Sequence, residues 1–259
     1  ILFFGFFLLD KEKKIGKIKN FDEESPTVFC KDLSYEKNIL LHPSKFYNDF
    51  SLALKFESER AWKKGLLNST IQSGKNRIDA SSWRGFSSKS KRHKAFVFLK
   101  IPGKFSCKIS ARIRDHGDLI DQKDGTLLPS LNVHLNDGHI FGITKFILFL
   151  PETRFEDNEI FASILFNEVG ILSPRTKYIS LNYGKNKKRF IFQEKIHKEM
   201  LEWNSLREGP LLEGDERFTF WDNRHSQNLS KNKIVNIIWS RKNESSYLIS
   251  ESSISFLNH

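Results

Sequence analysis

Sulfur is scarce in this chain: its 259 residues include two cysteines, Cys30 and Cys107, and one methionine. Two cysteines exclude a thiolate zinc site and a disulfide framework, and leave room for at most one bridge. Long apolar runs are also missing. The longest, residues 1–9, spans nine residues (Ile-Leu-Phe-Phe-Gly-Phe-Phe-Leu-Leu), short of the roughly 20 that a spanning helix needs. Because Asp10-Lys11-Glu12-Lys13-Lys14 follows it at once, the run reads as the back half of a signal peptide or membrane anchor. The phosphate-binding Gly-x-x-x-x-Gly-Lys-Ser/Thr loop, the dinucleotide Gly-x-Gly-x-x-Gly fingerprint and a nucleophile elbow are all absent, which removes the commonest nucleotide and hydrolase motifs.

Cationic charge is in excess. Lys and Arg number 42 against 31 Asp and Glu, a net charge of +11. A basic domain suggests an anionic partner. The charge is scattered, however, and only Lys91-Arg92-His93-Lys94 and the stretch 185–189 are dense. No specific nucleic-acid partner is expected on that pattern. A nucleotide phosphate, a lipid headgroup or an acidic cell-wall polymer remains open.

Residues 10–48 are polar, interrupted by Pro26 and Pro43, and read as a linker. Alternation of apolar and polar residues or short apolar runs mark strands at 51–56, 95–101, 108–114, 131–135, 139–143, 145–150, 178–182 and 190–192. Asn136-Asp137-Gly138 between two of these suggests a hairpin, on which His134 and His139 face each other without carboxylates at metal-ligand spacing. A helix is expected at 57–67. The stretch 68–94, rich in Ser, Lys, Arg and Gly, reads as a loop. A second helix is expected at 157–169, with Ile160, Phe161, Ile164, Leu165 and Val169 on one stripe, Asp157 or Asn158 at its start and Gly170 at its stop. A third is expected at 196–203. On this pattern the fold class is α+β, a mainly antiparallel sheet with helices packed on it, and Phe161, Leu165 and Val169 are expected to be buried.

Polar residues gather at element boundaries in 155–218, where sites on such scaffolds sit. Several pieces occur there and just upstream in a fixed order. Arg112-Ile113-Arg114 is followed by Gly117-Asp118. Ser130-Leu131-Asn132-Val133-His134-Leu135 comes next, then Lys145-Phe146-Ile147-Leu148-Phe149-Leu150-Pro151-Glu152-Thr153-Arg154. The helix closes on Glu168-Val169-Gly170-Ile171-Leu172-Ser173-Pro174-Arg175-Thr176. After it stand Phe190-Ile191-Phe192-Gln193-Glu194-Lys195-Ile196 and Arg207-Glu208-Gly209-Pro210, with Glu213-Gly214-Asp215-Glu216 beyond.

Over about 108–218 this order resembles bacterial proteins related to the spore-coat-H (CotH) kinases, which are similar in fold to protein kinases and transfer phosphate from ATP to protein. The resemblance implies a kinase-like N-terminal lobe and hinge within 49–218. It also implies an incomplete C-terminal lobe beginning in 219–259, ATP and Mg2+ as cofactors, and a protein substrate in the cell envelope reached through the N-terminal anchor. It puts Arg112, Arg114, Gly117 and Asp118 beside the phosphates and makes Lys145 the phosphate-side cation. Glu168 or Glu159 becomes the acid partner of Lys145, and Phe192, Gln193 and Glu194 become the hinge whose backbone groups read the base. The family's metal-binding acids lie beyond the hinge helix. Asp222 is the one late candidate here, and no His-Arg-Asp or Asp-Phe-Gly motif is present. The competing reading is a non-catalytic envelope module that binds an acidic polymer through basic loops.

Overall fold

The computed structural model describes residues 28–78, 90–117, 128–214 and 235–239. The apolar run 1–9, Asp118, Asp222 and most of 219–259 lie outside the described residues. In chain order the elements are α1 (Tyr35–Ile39), β1 (Ser51–Phe56), α2 (Glu59–Ile78), β2 (His93–Ile101), β3 (Phe105–Asp115), β4 (Leu131–Leu135), β5 (Lys145–Phe149), α3 (Asp157–Glu168), β6 (Thr176–Tyr183), β7 (Asn186–Glu194), α4 (Lys198–Trp203), β8 (Leu211–Gly214) and β9 (Val235–Trp239).

Seven strands close into a barrel in the order β1-β2-β3-β4-β5-β7-β6. Neighbours are antiparallel except β1 and β6, whose parallel pairing (Ser51 opposite Ser180, Leu52 opposite Leu181) closes the ring. β8 and β9 pair as a separate two-stranded sheet. Period-two alternation sends one set of side chains inward. Leu54, Val97, Leu99, Ile109, Ile113, Val133, Phe146, Leu148, Leu181 and Phe190 are all buried there. The start of β1 is plugged by Phe46, Phe50 and Phe141 packed on Phe192, with ring centroids 5.1–6.3 Å apart. At its end, Trp62 of α2 stacks on Phe56 at 4.3 Å. Residues 28–48, read as a linker, contribute Cys30, Leu41 and Phe46 to this core, and a disulfide ties Cys30 to Cys107 on β3.

The expected α+β lobe, a sheet with helices packed on it, is therefore corrected to a closed mixed barrel with few helices. The inward faces of seven strands bury one another, so the sheet needs no helical layer. α3 bears this out: Ser163 is its buried residue, while Phe161, Leu165 and Val169 are 67%, 45% and 61% exposed. The hairpin expected at 131–143 does not form either. Phe141 and Gly142 take left-handed backbone (φ +52° and +80°), the Asp137 carboxylate accepts from the Ser110 amide at 2.9 Å, and β4 pairs with β5 instead. The turn chemistry was legible, but the donor that Asp137 accepts from sits on β3. Residues 186–189 of the dense basic stretch lie on β7, and the reversal before them falls at Gly184 (φ +55°). Among the described residues no helix is long and apolar enough to cross a membrane.

Candidate functional site

The outward set of the same alternation gathers cations. Arg112 of β3 lies opposite His134 of β4, and His134 lies opposite Lys145 of β5. One register step along, Arg114 faces Asn132, Asn132 faces Ile147, and Ile147 faces Gln193. Arg92, just before β2, brings Nη1 to 3.3 Å from His134 Nδ1. The amide of Lys195 donates to the Lys145 carbonyl at 3.0 Å, which sets a further lysine beside the row. Arg112, Arg114 and Lys145 thus share one face of the barrel.

Lys145 is also held from its flank. Its Nζ lies 2.6 Å from His197 Nε2, and His197 Nδ1 lies 2.5 Å from Glu199 Oε2. Glu199 Oε1 accepts from Thr144 Oγ1 at 2.7 Å. The donors and acceptors alternate if the ammonium donates to Nε2 and the Nδ1–H donates to the carboxylate, which assigns the His197 tautomer. Burial pushes the Glu199 carboxyl up, but the hydrogen bonds from His197 and Thr144 outweigh it and hold the group at about 2. The Lys145 ammonium is pulled below its ordinary value by burial; Glu199 opposes this, and Arg92 and Lys198 add to it. Burial, followed by the charges of Lys145, Arg92 and Arg112, lowers His134 as well. A histidine kept neutral among fixed cations leaves a face that favours an anion.

The remaining residues expected at the site fall elsewhere. Glu194 points inward, 2% exposed, and makes a two-pronged pair with Arg175: Nε to Oε2 at 2.8 Å and Nη2 to Oε1 at 2.9 Å. Arg175 Nη1 also donates to the Phe141 carbonyl at 2.9 Å, and its guanidinium lies over Phe46 and Trp203. The Glu194 carboxylate is thereby engaged in the core. A cavity of about 250 Å³ adjoins this pair and is lined by Arg175, Glu199 and Trp203 among others. Gln193 lies on the outer face and donates to Glu159 Oε1 at 2.5 Å. That contact brings the acid of α3 to one register step from Lys145. Glu168 is exposed at the far end of α3. Gly117 takes φ +98°, a conformation open to glycine. His139 accepts from the Gly142 amide at 3.0 Å rather than facing His134.

Sequence reasoning missed Thr144, His197 and Glu199 as partners of Lys145, and Arg92 and His134 as members of the row. Strand alternation puts His134 on the face of Arg112 and Lys145 once the register is known. Nothing in the local pattern of His197 or Glu199 marks them, because they follow the exit of β7. No protein-family model matches this chain, and a search of the curated proteins returns no match.

Proposed function

We propose that the outer face of β3, β4 and β5 binds the phosphates of a nucleotide, and that the chain is an exported or membrane-anchored protein taking part in ATP-dependent phosphate transfer to envelope proteins. The observation that carries the reading is the row Arg112, His134 and Lys145 on three neighbouring strands, with Arg92 beside it. Converging cations in a partly buried setting are what a phosphate chain requires, since a charge-assisted contact there is about twice as strong as a neutral one. ATP is the ligand implied by the resemblance over 108–218, and the residues present suit its phosphates.

Among the described residues no group of three His, Cys, Asp or Glu gathers to hold a metal ion by itself, so Mg2+ would be held chiefly by the phosphates of the nucleotide. The Cys30–Cys107 bridge supports an oxidising compartment, in keeping with export. A second reading, a non-catalytic module for an acidic polymer, is favoured by one observation: the Glu194 amide, one of the backbone groups a base-reading hinge would use, already donates to the Arg175 carbonyl at 2.9 Å.

Calorimetric titration of ATP, with and without magnesium, against the full chain and its Lys145→Ala variant tests the proposal. Binding that weakens roughly ten- to a hundredfold in the variant is expected. Absence of ATP binding, together with binding of a polyglycerol-phosphate polymer, would put the envelope module ahead.

A further inference from the structure

Two register steps along the outer face from Lys145, at roughly 13 Å by strand rise, a second group of cations surrounds His116. The His116 amide donates to the Ser130 carbonyl at 2.7 Å, fixing the residue beyond the end of β3. Its ring meets the Phe149 ring edge-on at 5.2 Å. On that same Phe149 the guanidinium of Arg154 sits 3.9 Å from the centroid. Arg154 closes the Pro151-x-x-Arg motif at the exit of β5, a motif the proposed function leaves unused. Its Nε is buried and has no hydrogen-bond partner. A buried N–H without an acceptor is costly, and an oxyanion would satisfy it.

The backbone that presents Arg154 is itself unusual. Phe155 and Glu156 follow in succession at φ +51° and +53°, where side-chain-bearing residues are disfavoured. Such strain persists where the surroundings impose a geometry, and it gathers at binding sites. The charge environment agrees. Burial foremost, then Arg154, Arg114 and Lys195, drives His116 down to about 4, and Asp115 alone pulls the other way. Asp115 is an inward residue that accepts from Ser69 Oγ at 2.5 Å.

We infer that Arg154, His116 and Arg114 form a second anion subsite over Phe149, one that takes a phosphate group. Three cations around one imidazole favour a phosphate, which keeps a negative charge through the whole His116 titration, over a carboxylate, which loses its charge there. The subsite exists independently of the Lys145 row; only its assignment to the same ligand rests on the nucleotide reading. Joined to that row, it selects a ligand or phosphoacceptor that carries a second phosphate about 13 Å from the first.

Inorganic phosphate is the probe, followed through the His116 ring resonances by NMR on the full chain. Phosphate should raise the His116 titration midpoint, because a nearby anion stabilises imidazolium. Arg154→Gln should weaken phosphate binding about tenfold or more, and Arg154→Lys should retain most of it. Lys145→Ala should leave the His116 response intact while ATP affinity falls. An unmoved His116 midpoint on the unaltered chain, equal affinity in Arg154→Gln, or an equal response to acetate overturns the subsite. An ATP affinity insensitive to Lys145→Ala overturns the nucleotide reading instead.

Discussion

Arg175 and Glu194 form a two-pronged ion pair inside the protein, 5% and 2% exposed in their side chains, that pins the start of β6 to the end of β7. Backbone and side chain act together, since the Glu194 amide also donates to the Arg175 carbonyl at 2.9 Å. The third arm of the guanidinium reaches the Phe141 carbonyl and so holds the left-handed 141–142 corner against the barrel.

Removing one partner strands a buried charge. Glu194→Ala is expected to cost about 3–5 kcal/mol, and the paired replacement Arg175→Met with Glu194→Leu markedly less, because it strands nothing. Urea unfolding of the three proteins measures the difference. Equal costs for the single and paired changes would show that the pair is not acting as a unit.

Acid should unfold the protein in two stages. His116 has a folded value of about 4 against an ordinary 6.5. Its folded value is depressed, so its contribution is complete above pH 6.5 and is lost as pH falls toward 4. The loss is on the order of 2–3 kcal/mol. Glu199, held at about 2 against 4.5, is also depressed; its contribution is complete above about pH 4.5 and disappears as pH approaches 2. Urea midpoints at pH 7.5, 5 and 3.5 trace the first stage, which His116→Gln should flatten.

The Cys30–Cys107 bridge closes a loop with a sequence separation of 77 residues. Restricting the unfolded chain over that length contributes about 4 kcal/mol. Cys30→Ser combined with Cys107→Ser should lower the thermal midpoint by several degrees, and reductant should do the same to the unaltered protein but leave the double variant unchanged. Calorimetry in the presence and absence of reductant checks both.

The apolar stripe of α3 should be inexpensive to alter. Leu165 is 45% exposed, so Leu165→Ala is expected to cost less than about 1 kcal/mol. Phe192, fully buried and stacked on Phe146 at 4.3 Å, should cost about 3–5 kcal/mol when cut to Ala. Chemical denaturation of the two variants gives the contrast, and a comparable cost at both positions would mean that α3 is covered in solution.

Local periodicity was enough to locate most of the strands. Alternation over 51–56, 108–114 and 178–182 falls within β1, β3 and β6, because a pleated strand with one buried face writes period two into its sequence. The same alternation assigns Arg112, Arg114 and Lys145 to the polar set of their strands. Two things were out of reach of any local window. One is closure: the parallel contact of β1 with β6 joins residues about 129 apart, and nothing near Ser51 or Ser180 encodes it. Once it forms, the core lies inside the ring and the apolar stripe of α3 is left outside, so the helical period was real but its partner was not. The other is side-chain partnership across register. Whether Glu194 meets a ligand or Arg175, and whether Lys145 meets a helix acid or His197, depends on which strands become neighbours. Packing of the whole chain decides that, at distances of 2.6–2.9 Å that no spacing along the sequence specifies.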